Sequence, residues 1–475
     1  MTSPDSTTPP RRDLHTVDMD VPEAAEFTDA GLADLIAREV MHRRYIHVTG
    51  LDWHRWDGAR WVRCQDAAPT EAIRRYVLRQ VRIAGRRLDA VPDDGDAAQR
   101  VKNWRAVCSA RRIGAILKLT IGHPLVGIED ASRLDADPYL LNTANGTLDL
   151  RSLTIRDADP DDLITRKTTA RFTATPRCPL WTAFLDRVLP DRDVRDYLQR
   201  LAGIALFGAV YEHLLPILTG TGANGKGTFY GALMRALGDY AGPAEPDLFL
   251  VHPGAHPVGQ MDLFGRRLVV ISEIDEHRHI AEATVKRLTG GDRIKARNLY
   301  GPFIEFDPSH TAMMVTNHLP KVRGDDPAIW RRIRVIPFAV NIPEHEWIAD
   351  LGERLTAEES DGILAWALDG WIDYRDNGLH TPAAVKASTE DYRKANDDIS
   401  RFVDERCTTT SPAQKVSATD LYTAWERWAT ANGATAIAPT VFGKEIGRRG
   451  WPAKPSNGRR WHTGIGLIPD TTPTP

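Results

Sequence analysis

The segment LLPILTGTGANGKGTFYGALMRAL, residues 214–237, constrains the fold of this chain more than any other. A short apolar run, a glycine-rich loop and an amphipathic run predict a strand, a loop and a helix in that order. Glycines let such a loop curl so that its backbone N–H groups point inward, and the helix amino end adds partial positive charge. The segment therefore predicts a phosphate-binding loop within an α/β sheet, because a chance run of glycines would not combine all these features.

The loop departs at one position from the pattern G-x-x-x-x-G-K-[ST]. Position 227 is glycine, and the first hydroxyl comes one residue later, at Thr228. One residue along a helix rotates a side chain by about 100°, so Thr228 cannot simply replace a serine at 227. Two alternatives remain open for Mg²⁺: the loop shifts to present Thr228, or water and Glu273 complete the metal shell. The predicted ATP-binding residues are Gly220, Thr221, Gly222, Ala223, Asn224, Gly225, Lys226, Gly227 and Thr228.

Three later apolar runs, LVVISE, AMMVTN and IRVIPF, end in polar or turn residues and alternate with helical patterns. Runs of this kind predict parallel strands buried on both faces, in an α/β sheet with helices on both faces. Open α/β sheets bind ligands at the strands' carboxyl ends. Glu273 is therefore a candidate to hold Mg²⁺ or polarise water, and Asn317 to orient water or sense the γ-phosphate. Taken singly, the two would be a solvated strand end and a turn-capping asparagine.

Two basic segments accompany these strands. The run KRLTGGDRIKARNLY, residues 286–300, carries five basic residues and one acid, and it predicts a loop that contacts the DNA backbone through Lys286, Arg293, Lys295 and Arg297. The alternative is an ordinary solvated loop. Arg331 and Arg332 are candidates for neutralising transition-state charge across a subunit boundary, although paired arginines are more often surface salt-bridge partners.

The last folded segment predicts a winged helix. Helix patterns at 417–431 and 440–449, the latter with Thr440 as its cap, precede a hairpin that turns at Asn457–Gly458. A recognition helix and a basic wing would contact DNA, and the alternative is a module for protein contacts. The candidate DNA-binding residues here are Lys444, Arg448, Arg449, Arg459 and Arg460.

Composition limits the remaining classes of function. The 61 basic and 64 acidic residues give a net charge of -3, so DNA contacts must come from local basic surface. Four separated cysteines form no C-x-x-C pair, which predicts neither a zinc site nor a disulfide framework and favours a reducing compartment. The start of the chain lacks the apolar core of a signal peptide, and the longest apolar runs are about half a membrane span, so we expect a cytoplasmic protein with no membrane partner.

The chain divides by pattern into consecutive regions. The first is an α+β domain in which a two-residue hairpin is expected at Asp57–Gly58, with Trp53, Trp56 and Trp61 predicted to pack in the core rather than stack nucleobases. Turns are expected at Asn145–Gly146 and near 157–162. The predicted regions are a disordered tail at 1–20, the α+β domain at 21–172, the ATPase domain at 173–345 with a helical lead-in at 178–212, a helical extension and polar linker at 346–400, the winged-helix module at 401–470 and a tail at 471–475.

Five motifs in this order, GTGANGKGTF, RLVVISEIDE, KRLTGGDRIKARNLY, AMMVTNHLP and AIWRRIRVIPF, resemble the superfamily 3 helicases of the phage and plasmid primase-helicase family, which includes the poxvirus primase-helicase. The resemblance covers about residues 135–400 well and the first hundred more loosely. The family tolerates glycine after the lysine. The resemblance implies an AAA+-like ATP-dependent DNA helicase that replicates phage, prophage or plasmid DNA.

The same resemblance implies a ring, expected to be a homo-hexamer, with ATP between subunits and Arg331 or Arg332 supplied by the neighbour. It implies 3′ to 5′ movement on single-stranded and forked DNA, with a separate primase or replication initiator as a further partner. We expect no primase activity on this chain, because it shows no clustered acids of a primase metal site. The alternative function is an ATP-binding origin-recognition or partner-recruiting protein that hydrolyses little ATP.

Overall fold

The computed structural model describes residues 27–251, 257–272, 274, 278–299, 301–322, 326–434, 436–456 and 458–469. The predicted tails at 1–20 and 471–475 lie outside these residues. The chain packs into two compact units, one of residues 27–56 and 62–130 and one of 57–61 and 131 onward. The division therefore falls at 130, whereas the sequence pattern placed a boundary at 172.

The first unit is mainly helical. Thr28 caps its first helix through a hydrogen bond from Gly31 N, and a π-helical turn at Ala37–Met41 extends that helix. A four-stranded sheet has the order β3-β2-β1-β4, with β1 antiparallel to β2 and parallel to β4. The elements are α1 Asp29–Ile36, β1 Tyr45–Val48, β2 Asp52–Trp56, β3 Trp61–Arg63, α2 Ala67–Ala90, α3 Gly95–Val107, α4 Ala110–Thr120 and β4 Gly127–Ile128.

The tryptophans of the predicted hairpin are core residues. Trp53 is 1% exposed and Trp61 is 2% exposed, which confirms core packing over base stacking for both, and Trp56 is half-buried. The connection between β2 and β3 has four residues, 57–60, instead of the predicted two. The Asp57 carboxylate accepts hydrogen bonds from Ala59 N and Arg60 N, and this favours the longer turn.

The second unit opens with a small antiparallel sheet and two helices: β5 Leu140–Thr143, β6 Gly146–Asp149, β7 Thr154–Arg156, α5 Pro179–Val188 and α6 Arg192–Ile204. The β5–β6 turn uses residues 144–145, one residue earlier than predicted, because Gly146 already pairs with Thr143. The next elements are β8 Leu215–Thr219, α7 Lys226–Leu237, β9 Ala241–Pro243, β10 Leu268–Ile271, α8 Glu282–Leu288, β11 Ile294–Arg297, β12 Phe303–Phe306, β13 Thr311–Thr316, α9 Pro327–Trp330 and β14 Ile333–Pro337.

A five-stranded parallel sheet forms the centre of this unit. Its order is β14-β8-β13-β10-β9, and every pairing is parallel. All four residues of β10 are buried, as are the first four of β8. The prediction of a parallel α/β sheet from these apolar runs is confirmed. Because β8 lies between β14 and β13, and β13 lies beside β10, the polar residues that follow these strands meet at one edge of the sheet.

The described remainder of the second unit contains five α-helices and five short strands, and the last three strands follow α14. The elements are α10 Leu351–Asn377, α11 Ala383–Asn396, α12 Asp398–Arg406, β15 Cys407–Thr408, β16 Lys415–Ser417, α13 Ala418–Ala431, α14 Pro439–Arg448, β17 Ala453–Ser456, β18 Arg459–Thr463 and β19 Gly466–Leu467. Helices α6 and α10 pack closely where Gly203 meets the backbone of Gly370 and Trp371, since a Cβ at Gly203 would collide with those atoms.

Two predictions in this region were wrong. The segment KASTEDYRKANDD, expected as a linker, belongs mostly to α11, whose Val385 and Tyr392 are buried and whose Thr389 accepts a hydrogen bond from Val335 N of β14. Helix α14 begins at Pro439 with Ala438 at its amino-terminal flank, so Thr440 is not its cap. In the described part of the chain, no helix is long and apolar enough to cross a membrane.

Candidate active site

The loop between β8 and α7 has the backbone of a phosphate cradle. Gly222 has φ 100°, Gly225 has φ 83° and Ala223 has φ 48°, so three residues adopt left-handed conformations that favour glycine. A Cβ at Gly225 would lie 2.7 Å from Val188 Cγ1 and 3.0 Å from Phe184 Cε2 of α5. Helix α5 therefore braces the loop, and glycine is required at 225 by both conformation and space.

Lys226 stands at the first turn of α7 with its ammonium group turned into the loop. Its Nζ donates hydrogen bonds to Gly220 O at 2.7 Å, Asn224 Oδ1 at 3.1 Å and Asn317 Oδ1 at 3.1 Å. The residue is 6% exposed, and burial lowers the pKa of the amine. The lysine thus joins the loop to the residue that follows β13. Neutral acceptors hold it where a phosphate oxygen would be a stronger partner.

The loop and two strand ends enclose a cleft of about 420 Å³. Asn317 and the predicted loop residues from Gly222 to Thr228 line it together, whereas Gly220 contributes only its carbonyl to Lys226 and Thr221 is exposed. Glu273 lies outside the described residues, and its neighbours Ser272 and Ile274 line the cleft. The sequence did not identify the remaining lining residues, which are Tyr230, Ser272, Ile274, Val315, Thr316 and His318.

Position 227, where the P-loop pattern has a hydroxyl, has free space around it. A Cβ at Gly227 would meet nothing within 4 Å, so packing does not require glycine there. Gly227 and Thr228 both line the cleft. The lining is therefore compatible with both alternatives for the Mg²⁺ shell, Thr228 itself or water with Glu273.

The two candidate arginines have different environments. Arg331 is exposed, and its guanidinium makes no hydrogen bond or ion pair with a described residue. Arg332 is half-buried; its Nη1 donates to Ala328 O at 2.8 Å, and its buried Nε has no hydrogen-bond partner among the described residues. Neither arginine is among the described residues that line the cleft of its own chain.

The basic segment 286–300 is a helix end followed by a β-hairpin, not an open loop. Strands β11 and β12 pair antiparallel and bury one face, which leaves Lys295, Arg297 and Phe303 on the outer face. The Arg297 guanidinium lies 4.9 Å from the centre of the Phe303 ring, and Phe303 is 49% exposed. Three of the four predicted DNA contacts also face carboxylates: Lys286 with Asp326 at 2.5 Å, Arg293 with Asp307 at 3.5 Å and Lys295 with Glu305 at 3.5 Å.

The basic residues of the C-terminal segment fall into two groups. Lys444, Arg459 and Arg460 are exposed and have no carboxylate partner among the described residues, whereas Arg448 lies 2.6 Å from Glu445. Asn457, at the predicted hairpin turn, lies outside the described residues. On either side of it, Ser456 of β17 pairs with Arg459 of β18.

Arg449 forms ion pairs with two carboxylates of its own chain. Its guanidinium donates to Asp397 Oδ1 at 2.9 Å and to Glu445 Oε2 at 3.0 Å, and its side chain is 19% exposed. Burial alone would raise the pKa of the Asp397 carboxyl, but the hydrogen bonds of Ser400 and the charge of Arg449 outweigh it and lower that pKa. Arg449, Asp397 and Glu445 line the same cavity of about 440 Å³. These two carboxylates compete with a DNA phosphate for the Arg449 guanidinium.

Two family descriptions match the chain, "D5 N terminal like" over residues 33–190 and "Family of unknown function (DUF5906)" over residues 218–332. A protein of Acanthamoeba polyphaga mimivirus named "Putative helicase L207/L206" is 29% identical over 324 residues, which cover 63% of this chain and 34% of that protein. A protein of African swine fever virus named "Putative primase C962R" is 24% identical over 332 residues, which cover 63% of this chain and 34% of that protein.

One solved structure resembles this chain in fold only. The A-form apo structure of the NrS-1 C-terminal region is similar with a TM-score of 0.51 and 11% sequence identity, over 91% of this chain and 98% of that one. The chain spans about a third of the length of the curated relatives that it matches. With the five motifs in order and the parallel sheet that carries them, these matches support the assignment of the chain to the D5-like superfamily 3 helicases.

Proposed function

We propose that this chain is the motor part of a replication helicase, which binds ATP with Mg²⁺, hydrolyses it and unwinds DNA. The observation that carries the proposal is the junction at Lys226, whose ammonium group contacts both the phosphate-type loop and Asn317 at the end of a neighbouring strand. A lysine and a polar strand-end residue on one cleft are the arrangement that phosphoryl transfer requires. The relatives named as a helicase and a primase support a role in replication.

The donors around the cleft fit the nucleotide that the proposal requires. The loop's N–H groups and Lys226 would hold the β and γ phosphates, while Thr228 or Glu273 would hold Mg²⁺, which polarises the γ-phosphoryl group when bound. Asn317 would orient the attacking water. The cleft volume of about 420 Å³ is within the range of small-ligand sites.

The proposal includes an AAA+-like ring, expected to be a homo-hexamer, in which each nucleotide lies between two subunits. Arg331 supports this arrangement, because it is exposed and its guanidinium makes no hydrogen bond with a described residue, as an arginine offered to a neighbour should be. Arg332 is instead hydrogen-bonded to Ala328 O of the preceding helix α9. We therefore assign the role in trans to Arg331.

The DNA path in this proposal runs along the β11–β12 hairpin. Its outer face combines Arg297 and Lys295 with the exposed ring of Phe303, which suits a single strand that presents both phosphates and bases. The segment from α12 to β19, with sheet order β16-β18-β17, would act as a winged helix whose Lys444, Arg459 and Arg460 contact duplex DNA. Movement 3′ to 5′ and a separate primase or initiator remain parts of the proposal.

The proposal is tested by DNA-stimulated ATP hydrolysis of the wild type, Lys226→Ala and Glu273→Gln. We expect the wild type to hydrolyse ATP faster when forked DNA is added, and both variants to lose turnover by at least a hundredfold. The exposed Lys386→Ala removes a lysine that does not line the cleft, so it is the matched control and should retain activity.

The alternative, an ATP-binding origin-recognition or recruiting protein, predicts a different pattern. In that case the wild type would bind ATP but hydrolyse it no faster than Lys226→Ala, with or without DNA. The departure at Gly227 is the observation that favours this alternative. Strand displacement on a labelled fork then decides between a motor and a DNA-dependent ATPase without unwinding.

A further inference from the structure

Helix α2 of the first unit carries an arginine face that the sequence patterns did not single out. The helix has six basic residues and two acidic ones, and four of its arginines recur at i, i+4, i+7 and i+11: Arg75, Arg79, Arg82 and Arg86. At 3.6 residues per turn these four fall within about 60° of one another. They therefore form one stripe, about 16 Å long at 1.5 Å per residue.

The orientation of this stripe is set by the core. The buried residues of α2 include Ile73, Val77 and Ala84, which lie on roughly the opposite side of the helix. All four arginines of the stripe are exposed. The packing of α2 thus presents the stripe to solvent.

Most of the stripe has no acidic partner. Arg75 pairs with Glu71 at 2.8 Å, but Arg79, Arg82 and Arg86 face no carboxylate among the described residues. Like charges three and four residues apart on a helix repel one another, so the stripe opposes helix formation in isolation. An anionic partner would remove that repulsion.

The first unit as a whole has the same bias. Residues 27–56 and 62–130 contain 17 basic and 12 acidic residues, an excess of five, although the complete chain has a net charge of -3. By contrast, the basic residues first predicted to bind DNA are in large part ion-paired within the chain, such as Lys286 with Asp326 and Arg449 with Asp397. Arg79, Arg82 and Arg86 of α2 are thus available to a polyanion, as are Lys444, Arg459 and Arg460 in the C-terminal segment.

We propose that the arginine face of α2 is a further DNA-binding surface, which contacts the phosphate backbone without reading sequence. Its length of about 16 Å corresponds to about five steps of one DNA strand. Arginine forks bind phosphate oxygens in pairs, which suits this role. The choice of DNA as the polyanion rests on the proposed function, whereas the surface itself rests on the geometry of α2.

The test compares two double variants of the same helix by fluorescence anisotropy with labelled duplex DNA over a range of salt concentration. Arg79→Gln with Arg82→Gln removes two charges from the stripe, and Arg74→Gln with Arg87→Gln removes two exposed charges beside it. Glutamine has a helix propensity close to that of arginine, so α2 should remain folded in both.

Each phosphate contact contributes about 0.9 to the steepness of log K against log salt on duplex DNA and about 0.7 on single strands. Because the stripe variant loses two contacts, we expect its slope to be shallower by about 1.8 on duplex and by about 1.4 on single strands. The control variant should keep the wild-type slope. Equal losses in both variants would mean that only net charge matters, and no loss in either would mean a solvated face or a different anionic partner; each result overturns the inference. Wild-type protein that binds no DNA would instead contradict the proposed function.

Discussion

Arg331 and Arg332 can be separated experimentally, because they differ in what they contact. The Arg331 guanidinium makes no hydrogen bond or ion pair with a described residue and acts on the Asp326 carboxyl only through its charge, so its removal should leave the fold intact. If it stabilises transition-state charge in the neighbouring site, Arg331→Ala should lower turnover by about 10³-fold or more. Arg331→Lys keeps the charge but not the planar fork, and it should recover only part of that loss.

Arg332 should behave as a structural residue. Its Nη1 bond to Ala328 O is worth about 1 kcal/mol, and the packing of its stem adds a similar amount. For a domain of this size, a loss of about 1–2 kcal/mol lowers Tm by about 2–6 °C. Arg332→Ala should therefore melt earlier and retain more activity than Arg331→Ala.

The decisive assay mixes two inactive variants, Lys226→Ala and Arg331→Ala, in equal amounts. In a ring of randomly mixed subunits, about a quarter of the interfaces combine an intact lysine with an intact arginine from the neighbour, so about a quarter of wild-type hydrolysis should return if sites act independently. A mixture as inactive as its components, with Arg331→Ala itself inactive, would refute an arginine supplied in trans. Full activity of Arg331→Ala would remove the residue from the mechanism altogether.

Three further outcomes are expected. Gly227→Thr should fold normally, because a Cβ there meets nothing within 4 Å, and Thr228→Ala should reduce hydrolysis at least tenfold if its hydroxyl binds Mg²⁺; titration of activity with Mg²⁺ checks both. Burial lowers the pKa of His310 to about 4, so the folded state holds this histidine in its neutral form. The free energy of unfolding should therefore be unaffected by this residue above about pH 6.5 and should fall as the pH approaches 4, with a loss of about 2 kcal/mol at pH 5. His310→Phe should flatten that decline in a series of thermal melts, and an unchanged slope would contradict it. Glu359 is 5% exposed and accepts two backbone N–H groups at the start of α5, so Glu359→Ala should lose about 3 kcal/mol, while its exposed neighbour Glu358→Ala should melt like the wild type.

Local pattern alone determined the strands, the loop and the helix of the ATPase region. Apolar runs that end in polar residues depend only on neighbours in sequence, and so does the glycine spacing around Lys226. For that reason the parallel sheet and the lining of the cleft by Asn317 and the loop agree with expectation.

Only the tertiary structure decided which charges are free. Arg449 looked like a DNA contact because its partner Asp397 is 52 residues away in sequence, and the segment before Asp397 looked like a linker because its hydrogen bonds reach β14. The arginines of α2 looked ordinary, because their lack of partners depends on what the rest of the unit leaves beside them. Whether a charged side chain is free to bind a partner depends on the charges near it in the folded structure, and the sequence shows only which residues are adjacent along the chain.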